Sequence, residues 1–216
     1  PTVMISPEAM IGVQGPWVPM FDEAGFTMLS PPDAAFSRGL CSQEETIQLL
    51  STADAVIAGG EFFTPDVIAA LPKLKVIARA GVGYDRVDVP AATKHGIPVT
   101  ITPTANHESV AESTFALLFA IAKGIVPNDA AVRSGKWRRD VTEPVRGKTL
   151  GLVGLGRIGR STAKLARAIG MTILAAETYP DKDFVRQYNI ELVSFDALLS
   201  RSDYVSIHCP LNADTN

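Results

Sequence analysis

Short apolar runs alternate along the first hundred residues with segments of helical period. Val3–Ile5 reads as a buried strand, followed by a turn-rich stretch with Pro7, Gly12, Gly15, Pro16 and Pro19. Phe26–Leu29 is a second strand after Gly25. Ser42 and Glu45 have capping-box spacing and open a helix to about Leu50. Ala55–Ala58 is a strand closed by Gly59-Gly60, and Thr64-Pro65 starts a helix that stops near Leu71-Pro72. Leu74–Ala78 is a strand leading into the loop Ala80-Gly81-Val82-Gly83. Asp88 caps a helix ending at Gly96, and Pro98–Ile101 is a last strand. Strands and helices joined by short links predict a parallel sheet with helices on both faces.

The next segment has no polar side. Ser109 and Glu112 form a second capping-box pattern, with Asn106 as an alternative cap. Val110, Ala111 and Phe115 to Ala122 are apolar almost all round, and the helix is expected to run to Val126. Such a helix predicts burial on most faces, between domains or between subunits. Later, Thr149–Val153 is a strand running into Gly154-Leu155-Gly156-Arg157-Ile158-Gly159. A helix follows from Arg157 to Ile169, then a strand Met171–Ala176 that delivers Glu177. Strands at Glu191–Val193 and Tyr204–Cys209 flank a helix around Asp196–Ser200.

Charge divides the chain. Of 20 bases and 23 acids, residues 1–72 hold one base and nine acids, so the remainder holds 19 and 14. That step suggests two units, placed at 1–101 and 102–216. The basic stretch Arg133–Lys148 has only Trp137 as an aromatic partner, which predicts a solvated connector and no nucleic-acid partner. The longest apolar run, Phe115 to Ala122, is far short of the ~20 residues of a membrane span, so no membrane partner is expected. Cys41 and Cys209 share no metal-ligand spacing and read as reduced thiols of a cytoplasmic protein. The metal expectation is none.

Chemistry enters at residues 154–159. A bare GxGxxG is weak, but here a buried strand precedes it, and a helix, a second strand and an acid follow. Gly154 permits the tight turn, Gly156 lets the backbone approach a pyrophosphate, and Gly159 lets helix and strand pack closely. The helix N-terminus offers free N–H groups to phosphates. Glu177 stands where an acid accepts the adenosine ribose hydroxyls, which favours NAD over NADP. Lys182 and Arg186 are the nearest following cations.

Several segments together resemble the D-isomer-specific 2-hydroxyacid dehydrogenases. They are Lys73–Val99 with the loop Ala80-Gly81-Val82-Gly83-Tyr84-Asp85, Asn106–Glu112, Ser134–Trp137, Gly147–Gly156, and Val205–Leu211 with Thr215. Residues 1–70 are similar to the family in pattern only. The resemblance implies a flavodoxin-like substrate domain plus a Rossmann-type doubly wound NAD-binding domain, an α/β architecture with the active site between the two. It assigns Val82 and Gly83 to the substrate carboxylate, a loop that by itself reads as a strand-ending turn, and places Val82 beside the cofactor too. It assigns Gly154, Gly156, Arg157, Ile158, Gly159, Glu177, His208, Cys209, Pro210 and Thr215 to the cofactor NAD. The usual ribose acid of the family is aspartate, so Glu177 is a departure, as is Lys123 in place of arginine. A homodimer joined through the cofactor domain is also implied.

The same resemblance places the carbonyl-polarising arginine and the acid–base histidine and glutamate beyond the position of Asn216. No catalytic residue is therefore assigned. His208 matches a different histidine, near the cofactor; His95 and His107 read as helix-end residues. The expectation is an NAD-dependent oxidoreductase for a small 2-hydroxy or 2-keto acid, of which this chain is the N-terminal two-thirds. The cofactor sheet is expected to stop after four strands, leaving the chain without appreciable turnover and its C-terminal half unstable alone. The alternative is a non-catalytic NAD-binding sensor or corepressor-like interaction protein.

Overall fold

The computed structural model describes residues 1–212 and 215. The chain divides into two compact units, Pro1–Ala105 and Asn106–Asn216. The first contains, in order, β1 (Thr2–Ile5), α1 (Trp17–Glu23), β2 (Thr27–Leu29), α2 (Ala34–Arg38), α3 (Gln43–Leu50), β3 (Ala55–Ala58), α4 (Pro65–Ala69), β4 (Val76–Arg79), α5 (Val89–Lys94) and β5 (Val99–Thr100). Its five strands are all parallel, in the order β2-β1-β3-β4-β5. That is the flavodoxin-like order, with its switch point between β1 and β3. Ala58 is in register with Arg79, which sets the ends of β3 and β4 side by side. Phe36, Leu50, Phe63, Ile68 and Ile77 are fully buried in its core, each contributing about 1.5–3 kcal/mol by leaving water.

Local signals account for most of these helices. Ser42 and Glu45 make both bonds of the capping box at α3. Thr64 accepts from Val67 N with Pro65 in the first turn of α4, and Asp88 accepts from Ala91 N at α5. Two helices lie where the sequence suggested turns or gave no signal. α1 accommodates Pro19 because a proline in the first turn loses no helical hydrogen bond, and Asp33 caps the five-residue α2.

The second unit contains α6 (His107–Ala122), α7 (Ile125–Arg133), β6 (Thr149–Val153), α8 (Arg157–Ala168), β7 (Thr172–Ala176), α9 (Lys182–Gln187), β8 (Ile190–Leu192), α10 (Phe195–Arg201) and β9 (Tyr204–Ile207). Its parallel strands run β8-β7-β6-β9, the first four places of the Rossmann order 3-2-1-4. α8 buries Gly159, Thr162, Ala163 and Ala166, a stripe of small residues at helical spacing, and also packs on α6. Its chain turns away at Gly170, whose φ of +83° suits glycine.

The apolar helix departs from expectation in two ways. It begins at His107 with Asn106 at the cap position, so Ser109 lies inside it and the expected capping box does not form. It stops at Lys123, because Gly124 takes a left-handed conformation (φ +58°) and α7 leaves at 64°. Within the single chain Ala111, Phe115 and Leu118 face the core, whereas Leu117 is 66% and Ile121 75% exposed. Among the described residues no single helix is long and apolar enough to cross a membrane; α6 and α7 reach that length only as a bent pair. Residues 134–144, with most of the basic stretch, are exposed. Both cysteines are free.

Candidate functional site

The glycine turn after β6 has the geometry its spacing suggested. Gly154 has φ +93°, and a Cβ there would lie 2.7 Å from Cys209 N and 2.9 Å from His208 C. A Cβ on Gly159 would run into the carbonyl oxygen of Gly154. These two glycines are therefore required by packing. Gly156 is different. It caps α8 with φ −69° and ψ −159°, and a Cβ there would meet no atom within 4 Å. Among the described residues no side chain caps the helix, so the N–H groups of its first turn have no capping partner there, beside exposed Arg157 and half-buried Ile158. The start of this twelve-residue helix thus turns the positive end of its dipole and its donors outward.

Glu177 follows β7 and turns back onto this loop. Its Oε2 accepts from Leu155 N at 2.6 Å and its Oε1 from Tyr179 N at 2.9 Å. Burial pushes the carboxyl up, but the N–H groups of Tyr179, Leu155 and Thr178 and the charge of Arg160 outweigh it, holding the group below the usual glutamate value. Each oxygen keeps lone-pair capacity for a ribose hydroxyl. Lys182 is exposed and Arg186 pairs with Asp183.

The third wall comes from the end of β9. His208 N donates to Val153 O at 2.7 Å, which draws the His208-Cys209-Pro210 loop against Gly154. The imidazole Nε2 lies 3.0 Å from Ser206 Oγ and 3.3 Å from Thr162 Oγ1, and burial lowers its pKa. A neutral ring between two hydroxyls ties β9 to α8. Thr215 closes a turn with Asn212, and its N–H donates to Asn212 O at 3.2 Å. Gly154, Gly156, Gly159, Glu177 and His208–Pro210 thus converge at the carboxyl ends of β6, β7 and β9, where β6 and β9 form the switch point.

In the first unit, the Ala80–Gly83 loop leaves β4 beside the end of β3. Ala80 N donates to Ala58 O at 3.0 Å, Thr102 N to Gly81 O at 2.9 Å, and Arg79 Nε to Gly83 O at 3.1 Å. The N–H groups of Val82 and Gly83 have no partner among the described residues. One buried acid was not foreseen from the sequence: Glu61, after β3, is 1% exposed with neither oxygen hydrogen-bonded among the described residues. Burial pushes its carboxyl up to about 7, against the N–H groups of Glu61 and Gly59 and the charges of Arg79 and Arg86. A glutamate following Gly-Gly reads as a loop residue, so its burial had no local signal. His95 caps the end of α5 and His107 opens α6. Among the described residues no group of three or more His, Cys, Asp or Glu is placed to hold a metal.

The profile described as "D-isomer specific 2-hydroxyacid dehydrogenase, NAD binding domain" matches residues 115–216. D-3-phosphoglycerate dehydrogenase 2, chloroplastic, of Arabidopsis thaliana is 40% identical over 178 residues, 81% of this chain and 28% of its own length. Glyoxylate reductase of Korarchaeum cryptofilum is 43% identical over 156 residues, 69% of this chain and 47% of its own. The crystal structure of the TT0316 protein of Thermus thermophilus superposes with a TM-score of 0.83 at 30% identity, over 100% of this chain and 67% of that one.

The chain belongs to the D-isomer-specific 2-hydroxyacid dehydrogenase family. Its second unit carries the family's NAD-binding domain, and NAD is the cofactor of that domain. The chain spans less than half the length of the curated relatives described above. In this dehydrogenase-family chain, the carboxylate of Glu177 holds Leu155 N, the backbone of the glycine turn.

Proposed function

We propose that the chain is part of an NAD-dependent oxidoreductase that interconverts a small D-2-hydroxy acid and its 2-keto acid. The observation that carries this reading is the uncapped start of α8 with an ionised Glu177 beside it. Gly154, Gly156, Arg157, Ile158 and Gly159 take the pyrophosphate, and Glu177 takes the ribose hydroxyls and repels the extra phosphate of NADP. His208, Cys209, Pro210 and Thr215 border the adenosine side. Val82 and Gly83 offer their free N–H groups to the substrate carboxylate. The nicotinamide supplies the hydride chemistry when bound. The carbonyl-polarising arginine and the acid–base pair come from sequence beyond residue 216, as the family resemblance implies. Candidate substrates are 3-phosphoglycerate, hydroxypyruvate and glyoxylate.

The test compares the 216-residue chain with the product that carries whatever sequence follows it. The longer product should oxidise NADH with one of these 2-keto acids or reduce NAD with 3-phosphoglycerate, while the 216-residue chain binds NADH without turnover. Binding without turnover in both would overturn the oxidoreductase reading and favour an NAD-binding sensor or corepressor-like protein.

A homodimer is supported by the uncovered apolar face of α6 and α7, where Leu117, Ile121, Ile125 and Val126 are exposed. Light scattering should give a dimer that L117K/I121K converts to monomer; a monomeric parent chain refutes it. The two free thiols suit a reducing compartment such as the cytoplasm.

A further inference from the structure

Leu155 is the residue on which the glycine turn pivots. Its side chain is 2% exposed, and both of its backbone polar groups are held by side chains from outside the turn. Its N–H donates to Glu177 Oε2 at 2.6 Å. Its carbonyl accepts from Arg160 Nε at 3.1 Å. Arg160 is itself fixed from a second direction, because its Nη1 donates to Asp181 Oδ2 at 2.9 Å and its guanidinium lies 5.4 Å from the centre of the Phe184 ring. Asp181 in turn caps α9, accepting from Asp183 N and Phe184 N at 3.1 and 3.2 Å. The turn is thereby tied to α9 through one arginine.

The consequence follows from peptide geometry. The bond between Leu155 and Gly156 is trans, so the carbonyl of one and the N–H of the other point in opposite directions. With the carbonyl drawn to Arg160, the Gly156 N–H is turned away from it. Gly156 is exposed and its N–H has no partner among the described residues. If that plane were free to flip, the carbonyl oxygen would face the same space and repel an anion.

We propose that Arg160 is a positioning residue for the cofactor pyrophosphate, fixing the Leu155 carbonyl so that the Gly156 N–H stays available to phosphate oxygen. This rests on the dinucleotide-binding reading above. Arg160 acts through the backbone, its Nε and Nη1 being committed to Leu155 and Asp181.

Calorimetric titration of the 216-residue chain with NADH, ADP-ribose and adenosine tests the idea in the parent, R160K and R160M. Loss of one charge-assisted hydrogen bond predicts about tenfold weaker binding of NADH and ADP-ribose in both variants, with adenosine unchanged. Lysine keeps the charge but cannot hold Leu155 and Asp181 together, so R160K should not rescue. Parent-like affinity in R160K would make the role one of charge alone and overturn the proposal. Equal losses for adenosine and ADP-ribose would do the same, by showing a general structural defect. If the parent binds neither NADH nor ADP-ribose, the dinucleotide reading fails instead. The Gly156 amide resonance of ligand-free R160M then decides: a shift with faster exchange supports positioning, and an unchanged amide refutes it.

Discussion

Replacing Gly156 by alanine separates what the fold needs from what a ligand needs. The residue has φ −69° and ψ −159°, which alanine adopts without strain, and its Cβ would meet nothing within 4 Å. Two small terms act on stability. Alanine restricts the unfolded chain, worth about 0.4–1 kcal/mol in favour of G156A. Alanine is also a poorer helix cap than glycine, by an amount of similar size. Stability should therefore stay within about 1 kcal/mol of the parent. Binding should not. A methyl at the uncapped start of α8 stands where a pyrophosphate must approach the backbone, and losing one or two charge-assisted hydrogen bonds at about 1.5–3 kcal/mol each weakens NADH by tenfold or more. G159A is the contrast: its Cβ runs into Gly154 O, so overpacking of about 1–3 kcal/mol should lower the melting temperature whether or not ligand is present. Thermal melts and NADH fluorescence titrations of the two variants read both effects. A G156A protein that binds NADH as the parent does would refute the assignment of this turn to a dinucleotide.

Two further outcomes follow from packing and burial. E61Q should gain stability at pH 8 and none below about pH 4.5. The folded pKa of Glu61 is about 7 against a usual 4.5, so its stability is full below 4.5, falls as pH rises, and above 7 carries a cost of about 3 kcal/mol. Urea unfolding of both proteins at pH 4.5 and 8 checks this, and a difference between E61Q and parent that is the same at both pH values counts against a buried, unpaired acid. G151A should lose about 1–3 kcal/mol, because a Cβ in β6 would sit 2.6 Å from Leu198 Cδ2 of α10. A melting temperature equal to the parent's would mean that α10 moves aside at little cost.

Local signals were legible in the sequence and distant ones were not. Caps at Ser42, Thr64 and Asp88 are written within four residues, and each forms as its spacing suggests. Asn106 and Ser109 offered two starts for one helix, and the structure takes the earlier. Gly124 looked like an interior residue of an apolar helix but ends it, because its left-handed conformation stops the run. The parallel architecture and the glycine turn could be read because strand, turn and helix are contiguous. The bond of Arg160 to Asp181 spans 21 residues, so no periodicity announces it. Glu61 Oε2 lies with Ser6 Oγ and Ser37 O on the same face of Gly59, and both serines are far away in the chain. Such contacts are set by the fold and become visible only once it is known.

The most direct measurement is a side-by-side titration of the 216-residue chain with NADH and NADPH. Saturable binding of NADH at one site per chain is expected, with NADPH weaker because Glu177 is held ionised beside the proposed ribose position. No binding of either nucleotide, or tighter binding of NADPH, would contradict it.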